Sequence, residues 1–513
     1  MLGKIAGTLG AAAALLLAAA PADAQKSQDT LRIGINDMFS VLDPYHFPLD
    51  EAAQFYRTVY EGLVAYDERK RRYVPQIAKS WTRIDPTTIE FELRDDVVFH
   101  NGNKLDADDV VYTVNYLRDP NVKIRFKDRY DWVAKVEKLG PYKVRIAAKE
   151  AFATDLQTIA YRYRIYDSRA HKKLENKADY GRVSPVATGP YKVTSIDPGK
   201  GLFLERFEQY YDKSGNYPAP IKRVHGIPLP ERQTQLAKFF TGELDLMRHV
   251  PADIARELKN HPNAAITASQ AGLLMYVTLD AVGRSDSKLM TDQRVRQAFM
   301  KAVDRQALAK SVIPGGDMIG EVVIDAICVK AVFGCVSTVK PPAFDLEGAK
   351  KLLAEAGYAG GFDLELNVHA PIREIGEAIA GQVRKVGIRA SVRPLPLALY
   401  VRLRGEGKFT AFNGQYPTSA QPDMDNIMDF FFGGNRDYWN DAELKKLQAA
   451  GATEFDEEKR IAIYEKVLDR VNRMNYILPV AQLPLVWGHT KEVKINDNPL
   501  SPIDIRLGDW AWR

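Results

Sequence analysis

The chain has 513 residues, 46% of them hydrophobic, 27% charged and 10% aromatic, with a formal net charge of +5. This is an ordinary soluble composition, without the charge excess of a nucleic-acid coat or an interaction tail. After Gln25 no uninterrupted apolar stretch approaches the roughly 20 residues a spanning helix needs, and the chain is too long for one hydrophobic core, so two or three domains are expected.

Residues 1–24 have the form of a secretory signal. Met1-Leu2-Gly3-Lys4 is a short basic start, Ile5 through Ala20 an apolar run, and Ala22-Asp23-Ala24 the small-x-small pattern that a signal peptidase cuts, leaving Gln25 first. The run is short and alanine-rich and no stop-transfer pattern follows, which disfavours the alternative of an uncleaved anchor. No cysteine stands at the cut site to carry a lipid. The expectation is a protein free in an exported compartment.

Leu31 to Ile35 alternates as a first strand, and Gln54 to Val64 has helical period. Arg69-Lys70-Arg71-Arg72 follows Asp67 and Glu68, which offset part of its charge, and reads as a solvated turn; in an exported protein no nucleic-acid role is expected. Thr88 to Arg94 alternates as a strand with one buried face. Asp106, Asp108 and Asp109 open a helix, where acidic side chains suit the positive N-terminus; this reading is preferred to a Ca²⁺ or acid–base cluster. Tyr142 to Ile146 is a further strand.

From Gly181 to Ile227 short strands are punctuated by Gly and Pro. Glu231 to Phe240 reads as a helix stopped by Thr241-Gly242. Asp292 to Val312 reads as one amphipathic helix, with Val295, Ala298, Phe299, Ala302 and Val303 on one face. Cys328 and Cys335 are near neighbours, and in an oxidising compartment a disulfide is the leading reading; two free thiols or half of a metal site are the alternatives. Leu346 to Ala356 is a helix with Gly357 past its end, Asp363 to Val368 a strand, Glu374 to Val386 a helix closed by Gly387, Ile388 to Val392 a strand, and Asp441 to Asn475 mostly helix. Strands and helices alternate throughout, which predicts α/β architecture in more than one lobe.

Catalytic signatures are missing from the sequence. There is no Gly-x-Ser-x-Gly elbow and no His-Glu-x-x-His, and Gly199-Lys200-Gly201 lacks the rest of a phosphate loop. No two histidines stand at metal-ligand spacing. Neither a cofactor nor a metal is expected, and the chain reads as a non-enzyme.

Several segments together resemble the extracellular solute-binding proteins of the peptide and nickel class, which serve ABC importers. Val74 to Trp81 is similar to the family's "PxLAxSW", Phe91 to Gly102 to "FxLRxGVxFHDG", and Ala187 to Val193 to "GTGPYxV" with Ala187 in place of the first Gly. Thr241 to Leu246 resembles "xGELDI", Arg294 to Arg305 "VRQAxxxAIDR", and Ala349 to Tyr358 "AKxLLAEAGY". The resemblance implies a bilobal, hinged periplasmic-binding-protein fold of α/β lobes with an additional third domain. Lobe I would comprise residues 25–66, 188–272 and 487–513, the extra domain 67–187 and lobe II 273–486.

The same resemblance implies a monomer that closes on a peptide or other small-molecule ligand and hands it to an inner-membrane ABC permease with its ATPase. Arg373 falls where relatives carry an Arg for the ligand carboxylate. Ala420 falls where they carry the Asp that binds the peptide amine, so either Asp423 substitutes or the cargo lacks a free amine, as an opine, a modified or cyclic peptide, an oligosaccharide or a metal chelate would. Asp280 stands where relatives carry Asn, with packing and contact both open. Further pocket candidates are Asp50, Tyr56, Arg248, His249, Met275, Tyr276, His369, Tyr416, Ser419 and Trp487. A secreted hydrolase, with Ser419 approached by His369, is the alternative from another class.

Overall fold

The computed structural model describes residues 28–513 apart from 48–49, 68–69, 71, 183–184, 213–218, 314–321, 418–420, 496–506 and 508–509. The predicted signal, Ser419 and Ala420 lie outside the described residues, as does the side chain of Asp50. Among the described residues no helix is long and apolar enough to cross a membrane.

A ten-stranded sheet organises the chain. In one half, Thr30–Ile35 runs parallel to Arg223–Pro228 and to Leu246–Met247, and the hairpin Tyr191–Asp197 and Gly201–Arg206 extends the edge. In the other half, Phe362–His369 runs parallel to both Ile388–Leu395 and Ala411–Pro417. Two long antiparallel strands join the halves. Ala264–Leu279 carries the chain from the first half to the second, and Ile477–Thr490 brings it back. Their shared register breaks between Ser269 and Leu273. A break in a ladder bends the strand that carries it, and here it falls where one half gives way to the other.

Ala264–Leu279 is buried on both faces where it enters the second half. Met275, Val277 and Leu279 point into a core with Val295, Phe299, Leu366 and Ile379, while Leu274 and Tyr276 point into a second core with Ile427, Phe431 and Tyr464. That split follows from the two-residue period of a strand. It also places Met275 and Tyr276, read from sequence as pocket residues, inside packed cores at 0% and 1% exposure.

A separate four-stranded antiparallel sheet is ordered Ala78–Asp85, Thr88–Leu93, Lys143–Ala148, Val133–Gly140. Along Thr88–Leu93 the residues Ile89, Phe91 and Leu93 are buried and their neighbours are not, as the alternation predicts. Helix Ala107–Arg118 covers this sheet and is opened by a reciprocal cap: Asp106 accepts from Asp108 N at 2.9 Å, and Asp109 accepts from Asp106 N at 3.1 Å. The acidic run is therefore a helix cap, and Asp109 also receives Ser168 N. Apolar residues of this sheet and of the first half of the large sheet form one continuous core.

Two sequence-based elements change and a third, read as mostly helix, resolves into two helices. The stretch from Asp292 to Val312 forms two helices, Gln293–Lys301 and Arg305–Ser311, because Asp304 leaves helical geometry and caps the second through Ala307 N. Its apolar residues still face one core, so periodicity alone does not reveal the break. The helix expected at Gln54–Val64 runs Asp50–Val59. Gly62 then passes where a Cβ would lie 2.6 Å from Tyr163 O, and Val64 begins a strand. Asp441–Asn475 divides into Ala442–Thr453 and Glu457–Arg473, the second capped by Asp456. The stops at Gly357 and Gly387 take positive φ, 89° and 96°, as helix-ending glycines do. Cys328 and Cys335 form a disulfide.

Candidate functional site

The site is built on the end of strand Ala411–Pro417. Tyr416 is half-buried there, its ring 4.2 Å from Phe430 and its hydroxyl donating to Asn426 O at 3.4 Å. Phe430 and Asn426 belong to helix Met424–Phe432, which Asp423 caps through Asp425 N at 2.9 Å. Beneath Phe430 lies Arg404, 8% exposed, its guanidinium 4.7 Å from the ring centre and its Nε without a hydrogen-bond partner.

Asp423 is not presented to a ligand. It is 3% exposed, and its two oxygens accept from Arg460 Nη1 and Nη2, each at 2.7 Å. Burial raises its pKa, the Arg460 charge opposes that rise, and the guanidinium is held firmly protonated. Arg460 is flanked by Phe333 and Tyr464 at 5.0 and 5.1 Å. Phe333 lies in the loop closed by Cys328 and Cys335 and pairs with the cap segment, donating to Pro422 O at 2.9 Å and accepting from Met424 N at 3.1 Å. Gly334 follows at φ 77°, where a Cβ would meet Tyr464 at 2.6 Å. The disulfide loop thus anchors residues 422–424 at the start of helix Met424–Phe432.

The facing wall comes from the four-stranded-sheet unit. Helix Asp155–Arg162 ends at Arg162, whose Nε donates to Gln421 Oε1 at 3.0 Å, and Gln421 Nε2 donates on to Thr158 Oγ1 at 2.9 Å. Ala153 N to Ala452 O at 2.7 Å and the Arg83 guanidinium 4.8 Å from the Phe455 ring centre add contacts between the same two bodies. Arg129 projects from the short 3-10 turn Lys127–Tyr130, its guanidinium 3.9 Å from the Phe126 ring centre.

Arg129, Arg162 and Tyr416 share one electrostatic environment. Burial pushes Arg162 down to about 10, and the Arg129 charge pushes it further. Arg129 is exposed, and partial loss of solvation lowers its pKa, while burial raises that of Tyr416 against the pull of Arg162, Arg129 and Arg436. Asp128 offsets part of the two charges without pairing to either. Among the described residues neither Arg129 nor Arg162 makes an ion pair. Two guanidinium groups in one electrostatic environment, Arg162 donating only to the neutral amide oxygen of Gln421, have the donor chemistry that suits an anion.

The other sequence candidates scatter. Arg373 opens helix Arg373–Arg384 with its side chain 62% exposed, and its Nε donates to Glu377 at 2.6 Å. His369 is half-buried at its strand end, 3.5 Å from Gln415 Nε2, and burial lowers its pKa. Tyr56 fastens the preceding loop, donating to Asp43 O at 3.0 Å and Phe47 O at 2.8 Å. Asp280 closes a turn by accepting from Gly283 N and from Ser285 N and Oγ. On the first half of the sheet the Arg248 guanidinium lies 4.9 Å from the centre of the Trp487 ring, itself packed 5.3 Å from Trp510. His249 is exposed; loss of solvation, then the Arg248 and Arg232 charges, lower its pKa. Sequence reasoning missed Arg129, Arg162 and Gln421. Tyr161-Arg162-Tyr163-Arg164, two cations interleaved with aromatics, was the available signal. Among the described residues no group of three His, Cys, Asp or Glu could hold a metal.

Two walls meeting across strand ends, joined by two long crossing strands, define a hinged solute-binding fold. The family model for bacterial extracellular solute-binding proteins, family 5 (middle region), matches residues 72–439, and the chain belongs to this family. It is 23% identical over 507 residues to the glutathione-binding protein GsiB of Escherichia coli strain K12, covering 94% of each. Its fold is similar to that of NikA from Brucella suis in complex with Fe(III)-EDTA, with a TM-score of 0.81, 22% identity and coverage of 94% of this chain and 100% of that one. It is also similar to DppA from Helicobacter pylori in complex with the peptide STSA, at a TM-score of 0.76, 20% identity and coverage of 95% and 99%. The chain is thus an extracellular solute-binding protein of a family made of solute-binding proteins.

Proposed function

We propose that this protein captures a small solute bearing two or more carboxylates, closes on it between the two walls, and delivers it from the periplasm to an inner-membrane permease. The observation that carries this reading is Arg162, which reaches across to the neutral Gln421 oxygen at 3.0 Å and feels the Arg129 charge, with no ion pair for either arginine among the described residues. A carboxylate placed there relieves the repulsion between the two cations and offers a charged acceptor in place of the neutral Gln421 oxygen. The engagement of Asp423 with Arg460 supports a cargo that needs no amine anchor from it. Glutathione, named for one relative, carries two carboxylates, and Fe(III)-EDTA, bound by another, carries four.

The domain division follows the same reading: residues 25–66, 188–272 and 487–513 as lobe I, 67–187 as the extra domain and 273–486 as lobe II, after cleavage behind Ala24. The crossings at 272/273 and 486/487 fall inside Ala264–Leu279 and Ile477–Thr490, next to the register break. A ligand that contacts both walls favours the closed form by the difference in its affinity for the two states, and converting a mostly open population needs roughly 10⁴-fold.

The test is a thermal-shift and calorimetric screen with glutathione, Fe(III)-EDTA, citrate and an amidated dipeptide. Stabilisation by polycarboxylates that is lost in Arg162→Ala supports the proposal. Stabilisation by the amidated dipeptide alone overturns it, as does a polycarboxylate response that Arg162→Ala leaves intact. Turnover of a bound compound would instead favour the hydrolase reading, whose Ser419 lies outside the described residues.

A further inference from the structure

Phe126 combines three properties that packing does not explain. Its backbone is left-handed, at φ 56° and ψ 44°, a region that a bulky side chain occupies only under strain and that glycine or asparagine takes readily. Its ring is 42% exposed, so it fills no core. The ring nonetheless lies against two guanidinium groups, Arg129 at 3.9 Å and Arg125 at 5.6 Å from its centre.

Arg129 needs such a support. It is exposed and makes no ion pair among the described residues, and repulsion from the Arg162 charge disfavours an ordered position for its long side chain. A ring face attracts a guanidinium electrostatically and leaves its in-plane N–H groups free to bind an anion. The neighbouring groups hold the platform in place: Arg125 N donates to Tyr45 O at 3.0 Å, and Tyr130, next after Arg129, packs edge-on to Tyr45 and Tyr163 at 5.6 and 5.4 Å.

We infer that Phe126 is the positioning residue of the anion site: its strained, exposed ring holds Arg129 beside Arg162, so that the two guanidinium groups accept a polycarboxylate together. This rests on the reading of the cleft as a polycarboxylate receptor, and it adds that selectivity for several carboxylates over one depends on a ring that touches no ligand charge itself.

The experiment compares Phe126→Leu, Phe126→Tyr and Phe126→Gly with the wild type by calorimetry against glutathione, Fe(III)-EDTA and acetate, by thermal unfolding, and by ¹⁵N spectra of the arginine Nε groups. Phe126→Leu is expected to weaken binding of the polycarboxylates about tenfold, to leave acetate unchanged, and to lose nothing further when combined with Arg129→Ala. Phe126→Tyr restores affinity. Phe126→Gly relieves the backbone and unfolds at a higher temperature while binding more weakly, a pair of opposite signs that a merely structural residue does not give. Wild-type affinity in Phe126→Leu, or an Arg129 Nε signal as ordered in that variant as in the wild type, overturns the inference. If the wild type itself binds no polycarboxylate, the reading of the cleft fails, and the Nε spectra still decide whether Phe126 orders Arg129.

Discussion

Arg460 grips Asp423 through two parallel hydrogen bonds of 2.7 Å, and both residues are buried, at 5% and 3% exposure. The pair stands where the sequence offers Asp423 as a ligand contact, and it turns that carboxylate into the anchor of helix Met424–Phe432. Removing one member leaves the other charge buried and alone, which costs about 3–5 kcal/mol, whereas replacing both by apolar residues of similar volume costs much less. Asp423→Ala and Arg460→Ala are each expected to lower stability by that amount in urea titrations. Asp423→Leu combined with Arg460→Met should recover most of the loss.

Glu61 predicts a pH dependence. It is 1% exposed, and its Oε1 accepts from Tyr210 Oη at 2.7 Å and Tyr211 Oη at 3.0 Å. Burial raises its pKa from 4.5 to about 7, with the tyrosine hydrogen bonds opposing. The folded chain therefore binds this proton more tightly than the unfolded chain does. The resulting stabilisation is complete below pH 4.5, fades as pH rises toward 7, and amounts to roughly 3 kcal/mol. Half-buried His100 and buried His171, both shifted down, act in the opposite sense below pH 6.5. The comparison with Glu61→Gln isolates the carboxyl: its advantage over wild type should grow from pH 4.5 to 7 and then level off. A difference that stays flat over that range would show that Glu61 is not the titrating group.

Much of the fold was legible because it is written in short-range terms. The alternation at Thr88–Leu93, the cap at Asp106 and the glycine stops at 357 and 387 each follow from neighbours within a few residues. Asp304 shows the limit: an apolar face that continues unbroken hides a cap that starts a second helix. The site was harder. Tyr416 was visible as an aromatic beside a family motif, but Arg162 meets Gln421 across 259 residues of chain, and no local pattern encodes that encounter. Met275 and Tyr276 misled because a strand buried on both faces carries no polar signal separating a core position from a cleft position.

The disulfide loop gives a prediction about order. Phe333 bonds through its backbone to Pro422 and Met424, within a loop that Cys328 and Cys335 close at a separation of 7. A closure this short constrains the unfolded chain by about 2–3 kcal/mol, and its effect is local. Reduction, or Cys328→Ser with Cys335→Ser, should speed amide exchange at Phe333 and Met424 while leaving strand Thr88–Leu93 unchanged. Uniform loss of protection across both regions would mean that the bridge supports the whole fold instead.

Gln421 offers the sharpest test of the anion receptor, because a single change can supply the missing charge from within. Its Oε1 already accepts from Arg162, and the residue is 4% exposed. Gln421→Glu would place a carboxylate on the same guanidinium with nearly the same shape, forming a charge-assisted pair in place of a neutral one. The chain should then occupy its own site. Unfolding temperature is expected to rise in the absence of ligand, and affinity for Fe(III)-EDTA and glutathione to fall at least about tenfold. Gln421→Ala, which removes the competitor without adding charge, should leave that affinity intact or improve it. Equal affinity in Gln421→Glu and wild type would place the ligand charge away from Arg162, and the search for the receptor would move to Arg404 beneath Phe430 and to Arg248 against Trp487.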